Sequence, residues 1–345
     1  MDSKNTIIVT GGAGYIGSHT IIELLETTDF KVISIDNFSN SSARTFDRIE
    51  KITGKRIFNY DIDLCNKIDL EKIFEKEKNI IGVIHFAAYK SVPESVSNPY
   101  KYFHNNINSL LNVLESCLKF KVTNFIFSSS CSVYGNISQL PVKEDTPFGK
   151  AESPYAYTKQ VGEEMIKDYT TAYPQLQAIA LRYFNPVGAH ESGLIGESPI
   201  NKANNLVPII TQTAIGKIKQ MTVFGNDYDT RDGTNIRDYI HVTDIANAHI
   251  IAMKYLIENK NQFNFSIFNL GTGSGVSVLE AISAFEKIST QKLNYIIGSK
   301  RPGDVIAIYS DTAKSENELG WKPKFNLEEM MDTAWKWELE QSNEK

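Results

Sequence analysis

The sequence has no long apolar run: nothing in its 345 residues approaches the roughly 18 unbroken hydrophobic residues that a membrane-spanning helix needs. A soluble protein is expected. It is also poor in cysteine, with only Cys65, Cys117 and Cys131, an odd and scattered set that offers neither a disulfide framework nor metal-type spacing. No secretory leader is expected either, because "MDSKNTIIVTGG" runs into a strand and a glycine turn within ten residues. A reducing, cytoplasmic setting is expected from both. Nor is there an excess of positive charge. The formal net charge is −5, which argues against a nucleic-acid partner, so a few placed cations would have to hold any anionic ligand. His19, His85, His104, His190, His241 and His249 are dispersed without ligand spacing, and no metal is expected.

What the sequence does have is alternation. "TIIVT" (6–10), "KVISID" (31–36), "RIFNYDI" (56–62), "IIGVIHFAA" (80–88), "VTNFIFSSS" (122–130) and "LQAIALRYF" (176–184) are near-continuous apolar runs, as strands covered on both faces require. The segments between them are long enough for crossover helices. The expected fold is therefore α/β, a Rossmann-type doubly wound parallel sheet. After Phe184 the texture becomes loop-rich and irregular. Residues 1–184 read as a dinucleotide-binding domain. Residues 185–345 read as a smaller substrate-binding lobe over the carboxyl ends of the strands, with room to lend elements back to the first domain.

In "VTGGAGYIGSH", Gly11, Gly14 and Gly17 follow the first strand directly and open the first helix, and Asp36 ends the second strand nineteen residues after Gly17. The glycines let the backbone approach a pyrophosphate, which the free N–H groups and positive end of the helix attract. Asp36 can accept ribose hydroxyls and would repel a 2′-phosphate, so NAD is expected rather than NADP. A second cluster, "NLGTGSG" (269–275), lacks a following βαβ unit and reads as a structural turn.

"SPYAYTKQ" (153–160) opens with serine as cap and proline at the first helical position. Tyr155 and Lys159 are four apart, about 40° around a helix, and share a face. Tyr157 points to the other side and reads as packing. Moving a phenol from its usual pKa by about 3 units takes roughly 4 kcal/mol. A cation at about 4 Å in an effective dielectric near 20 supplies energy of that order. Lys159 and an oxidised nicotinamide are both such cations, so Tyr155 can take the proton of a substrate hydroxyl while the attached carbon gives up a hydride.

Gly11-x-x-Gly14-x-x-Gly17 together with Tyr155-x-x-x-Lys159 resembles the signature of the extended short-chain dehydrogenases/reductases. Over nearly the whole chain, "GGAGYIGSHT", "HFAAYKSVPESV", "NFIFSSSCSVYG", "LRYFNPVGAH", "NNLVPII", "FGNDY", "DGTNIRDYIHV" and "RPGD" are similar to the sugar-nucleotide 4-epimerases of that family. The resemblance implies that Gly11, Gly14, Tyr15, Ile16 and Gly17 meet the NAD pyrophosphate and that Asp36 and Asn37 hold the adenine ribose. It further implies Asp61 and Ile62 at the adenine, Phe86, Ala87, Ala88 and Lys90 at the middle of the cofactor, and Asn105, Ser128 and Phe184 towards its nicotinamide. Ser130 becomes the hydroxyl that hydrogen-bonds the sugar O4 beside Tyr155, and a strand-end capping role is expected for Ser128 and Ser129 rather than for Ser130. In related 4,6-dehydratases an acidic pair follows that serine; Cys131 and Ser132 stand there instead, which disfavours elimination.

For the substrate, the resemblance implies Arg237 and Arg301 at a diphosphate. Asn185, Asn204, Asn205 and Leu206 would line sugar and diphosphate, Thr222 and Phe224 a uridine pocket, with Lys90, Tyr155 and Asp304 completing the shell. The position that gates N-acetylated sugars falls at Ile308, intermediate in size. The implied activity is reversible C4 inversion of UDP-glucose and UDP-galactose through a 4-keto sugar, in a homodimer formed by helices of the first domain. UDP-N-acetylhexosamines and UDP-hexuronic acids are the alternative substrates.

Overall fold

A computed structural model describes residues 4–198, 203–301 and 304–343. In chain order the first part comprises β1 (Thr6–Thr10), α1 (Tyr15–Thr27), β2 (Lys31–Ile35), α2 (Arg44–Thr53), β3 (Phe58–Tyr60), α3 (Lys67–Lys76), β4 (Ile80–His85), α4 (Val92–Ser97) and α5 (Pro99–Lys119). It continues through β5 (Asn124–Ser130), a short 3₁₀ turn (Cys131–Tyr134), α6 (Pro154–Ala172) and β6 (Gln177–Tyr183). The later elements are β7 (Asn185–Val187), α7 (Leu206–Ala214), β8 (Met221–Phe224), β9 (Ile236–His241), α8 (Val242–Ile257) and β10 (Phe265–Leu270). They end with β11 (Gly275–Ser277), α9 (Val278–Ser289), β12 (Tyr295–Gly298), β13 (Ala307–Ile308) and α10 (Leu327–Asn343).

Seven parallel strands form the central sheet in the order β10-β6-β5-β4-β1-β2-β3. Successive side chains of a strand point to opposite faces, so a strand with helices on both sides must be apolar at every position. β1 shows it: Ile7 and Val9 join the layer of α1 and α8 with Ile21, Ile245 and Met253. Ile8 joins the opposite layer with Val113, Phe125 and Ile166. Each such buried aliphatic side chain stabilises the fold by roughly 1.5–3 kcal/mol before conformational entropy is counted. The strand order reverses between β1 and β4, and the crevice beyond their carboxyl ends is where open α/β sheets bind ligands.

The later elements build two small sheets. One holds β11, β9 and β13, with β7 also paired to β9; the other is the parallel pair β8 and β12. Their core of Val207, Ile210, Val223, Tyr239, Phe285 and Met331 sits beneath α7, α9 and α10. Residues 242–270 return to the central sheet: α8 packs on α1, and β10 pairs with β6 as the seventh strand.

Candidate active site

The reversal crevice is floored by the first turn. Gly11 has φ of +72°, where only glycine is at ease, and a Cβ there would come within 2.8 Å of the Ala87 backbone nitrogen. α1 then starts without a side-chain cap on Gly14. α4, α6 and α9, by contrast, are capped by Ser91, Ser153 and Ser277. The amides of Tyr15, Ile16 and Gly17 are therefore left for an anion, and the residues present fit a dinucleotide pyrophosphate. Asp36 sits at the rim. Its carboxylate accepts from the Ala13 and Phe38 amides, both at 2.9 Å, and from the Ser41 hydroxyl at 2.8 Å, so its position is set before any ribose arrives. Asn37 and Asp61 are exposed beside it at the ends of β2 and β3, and Ile62 packs on the core edge. Phe86, Ala87 and Ala88 follow β4 on the other wall, where Phe86 rests 4.6 Å from the His249 ring.

α6 brings Tyr155 and Lys159 to one buried face, as helical spacing requires. Tyr155 is half-buried beside Ser130, and desolvation pushes its phenol up to about 12, with the Ser130 hydroxyl opposing the shift. The expected depression by Lys159 is not what the chain's own groups produce. The ammonium lies 5.9 Å from the Tyr155 ring centre and donates instead to the Ser128 carbonyl at 2.6 Å. Burial lowers Lys159 itself to about 8, with Glu163 one turn further along α6 opposing the shift.

The serines also differ from expectation. Ser130 caps the 3₁₀ turn, accepting from the Ser132 amide at 3.2 Å. Ser128 bonds the Tyr183 hydroxyl and Ser129 the Glu163 carboxylate, because their strand positions point into the sheet's covered faces. Tyr157 is 50% exposed, with only an edge contact to Phe103, so it is a surface residue of α6 rather than core packing.

Residues after β6 close over this pair. Cys131 packs with Phe184 and Ile308, and it lies within electrostatic reach of Tyr155 and Arg237. Burial raises the Cys131 thiol to about 12, so it stays neutral and supplies no acid or base near pH 7. Ile308 pairs with Arg237 in register between β13 and β9. Arg301 lays its guanidinium 3.7 Å over the Phe224 ring, joining two predicted ligand positions into one pocket wall with Thr222. The Asp304 amide closes back on the Arg301 carbonyl at 3.3 Å. Asn185 donates to the Asp238 carbonyl at 3.0 Å, and Asn105 is held by Asn106 at 3.0 Å. Lys90, Asn204 and Asn205 are exposed around the opening, with Leu206 starting α7.

Three carboxylates that organise the site escaped the sequence reading. Asp238, fully buried, accepts from the Thr272 amide at 2.8 Å, the Thr272 hydroxyl at 2.7 Å, the Gly273 amide at 3.2 Å, and the Ser310 amide and hydroxyl at 3.0 and 2.6 Å. The second glycine cluster is thus a turn wrapped around an anion of the chain itself. Its signal was a carboxylate inside the apolar strand "IRDYIH". Glu163 is ion-paired with buried Arg182 at 2.6 Å, and Glu197 bonds Lys90 at 3.0 Å. No local motif marks either.

A family profile described as GDP-mannose 4,6 dehydratase matches residues 8–334. A Bacillus subtilis protein named UDP-glucose 4-epimerase is 46% identical over 337 residues, covering 98% of this chain and 98% of its own. A Pisum sativum protein named bifunctional UDP-glucose 4-epimerase and UDP-xylose 4-epimerase 1 is 46% identical over 339 residues, 97% of this chain and 96% of its own. The crystal structure of UDP-glucose 4-epimerase from Bifidobacterium longum, in complex with NAD+ and UDP, superposes with a TM-score of 0.92 at 44% identity, covering 98% of this chain and 99% of that one. Cys131 and Ser132, which stand where the resemblance places the acidic pair of the dehydratases, agree with the full-length matches to epimerases. The chain belongs to the UDP-glucose 4-epimerase family of NAD-dependent enzymes.

Proposed function

We propose that this protein interconverts UDP-glucose and UDP-galactose by inverting C4, as a step of galactose metabolism. The observation that carries the reading is the placement of half-buried Tyr155 beside Ser130, one helical turn from buried Lys159 and beside the uncapped glycine turn. When bound, NAD would supply reversible hydride acceptance, through which C4 becomes a ketone and regains either configuration. Tyr155 would hold and return the O4 proton, and Ser130 would hydrogen-bond O4 with the lone pair that its cap leaves over. Lys159, whose ammonium is fixed on the Ser128 carbonyl, would keep positive charge near the phenolate. Lys90, Asn185, Asn204, Asn205, Leu206, Arg237, Arg301 and Asp304 would bind sugar and diphosphate, and Thr222 and Phe224 the uracil ring. Because the ketone must present both faces, the pocket has to be roomy at the sugar. Ile308, buried against Phe184, sets that room and favours unsubstituted hexoses over N-acetylated ones.

Val92, Val96, Tyr100 and Tyr157 are exposed apolar side chains of α4, α5 and α6, which supports the homodimer. A cytoplasmic location fits the scattered free cysteines, and among the described residues no helix is long and apolar enough to cross a membrane.

The test is to give purified protein UDP-galactose, UDP-N-acetylgalactosamine and UDP-galacturonate in turn and to resolve the products. Expected is the 4-epimer of UDP-galactose with no loss of water and no net reduced nicotinamide. Tyr155→Phe should lower that rate by about 10²–10⁴-fold, with Tyr157→Phe near wild type. Dehydrated product, or equal losses in the two variants, would sink the reading. Preference for either of the other two sugars would move the substrate to that class.

A further inference from the structure

Glu197, in the loop between β7 and α7, belongs to none of the groups assigned to the reaction. Its Oε1 accepts from two side chains at once, the Lys90 ammonium at 3.0 Å and the Asn205 amide at 2.7 Å. The reading above gives Asn205 to the substrate, and Lys90 to the substrate as well as to the middle of the cofactor. The Glu197 carbonyl is fixed from α10 by Trp337 Nε1 at 2.9 Å, so the backbone that presents the carboxylate is anchored. Asn205 stands at the start of α7 with the extended backbone of a cap, φ −80° and ψ 148°, yet makes no side-chain cap bond. Its amide is turned to Glu197 instead. The first turn of α7 is thus left uncapped beside an ammonium and an amide that a carboxylate already engages.

We infer that Glu197 is an exchangeable counter-anion, which holds Lys90 and Asn205 until the substrate's diphosphate takes them over. The inference rests on the epimerase reading. An ion pair whose lysine is half-exposed contributes little to folding and exchanges readily. The carboxylate meanwhile repels an incoming diphosphate over the same few ångströms. Glu197 therefore weakens the grip on nucleotide phosphates and shortens the stay of product. This is a setting of affinity, and Glu197 is a positioning residue that takes no part in proton or hydride movement.

The experiment is calorimetric titration of the NAD-loaded enzyme with UDP and, in parallel, with uridine. Glu197→Gln keeps the size of the side chain, an acceptor for Asn205 and the backbone link to Trp337. Expected is UDP binding tighter by about fivefold, with a steeper dependence on salt and unchanged uridine binding. Unchanged or weaker UDP binding overturns the inference, as does an equal gain for uridine. In a Lys90→Met background the gain should vanish, since the contested cation is gone, and a gain that persists there also overturns it. Wild-type protein that binds no UDP would fail the epimerase reading itself and this inference with it. UDP binding indifferent to Glu197→Gln removes only the counter-anion.

Discussion

The cofactor side and the substrate side of the cleft are built by different means. The cofactor side is made of backbone: a glycine turn, an uncapped helix start and the ends of two long buried strands. The substrate side is made of side chains carried by strands of two to six residues, kept in place by buried or half-buried carboxylates. Backbone sites tolerate little change in local conformation, whereas side-chain sites depend on distant partners. The contrast predicts where each can be broken.

Gly11→Ala should have the largest effect on ligand binding. Its φ of +72° and the 2.8 Å approach to the Ala87 nitrogen leave no place for a methyl group. NAD should be lost from the purified protein, with a stability cost of about 1–3 kcal/mol in denaturant titration. Retained NAD at normal stoichiometry would contradict a backbone-built site.

Asp238→Asn should come next. An amide presents one oxygen where five donors now meet two, so about 2–4 kcal/mol of stability should go. UDP affinity should fall well before NAD affinity does. Equal losses of both would show that the two sides are not separately supported.

Acid should act mostly on the cofactor side, with a cost that accumulates as pH falls. Burial lowers His19 and His249 to about 4 and His85 and His241 to about 3. Above pH 6.5 these rings are neutral folded or unfolded and contribute nothing to pH dependence. As pH falls below 6.5 the unfolded chain takes up protons that the folded one refuses, so each ring costs about 1.4 kcal/mol per pH unit down to its folded value. Three of the four lie in α1, β4 and α8, around the central sheet. Thermal melts should drop steeply between pH 6 and 4, with NAD released ahead of UDP. A flat profile over that range would remove the assigned role of these buried rings.

The same division decided what could be read in the sequence. β1, β4, β5 and β6 were legible because covering both faces forces an unbroken apolar run, and the glycine turn was legible because its chemistry lies within seven residues. β10 was not read as a central strand, since its neighbour β6 lies about eighty residues earlier and nothing local says which sheet it joins. Tyr155 and Lys159 were placed correctly on one face by helical period alone. The position of the Lys159 ammonium is not set by that period, because the Ser128 carbonyl, 31 residues away, accepts from it. Asp238 acts through partners 34 to 72 positions distant, and Glu197 joins Lys90, 107 positions away, to Asn205, 8 away.

Pairing of β10 with β6 also orders the protein's manufacture. The cofactor sheet lacks its outer strand until residue 270 has left the ribosome, by which time β7 to β9 and their helices have already been made. A nascent chain stopped near residue 184 would expose the bare flank of β6, including alternate residues of Ala178 to Leu181 that the finished molecule covers completely. The enzyme thus enters the cell with an interval of adhesiveness lasting some ninety codons, and its yield should depend on how quickly those codons are translated and on whether a chaperone covers the exposed edge.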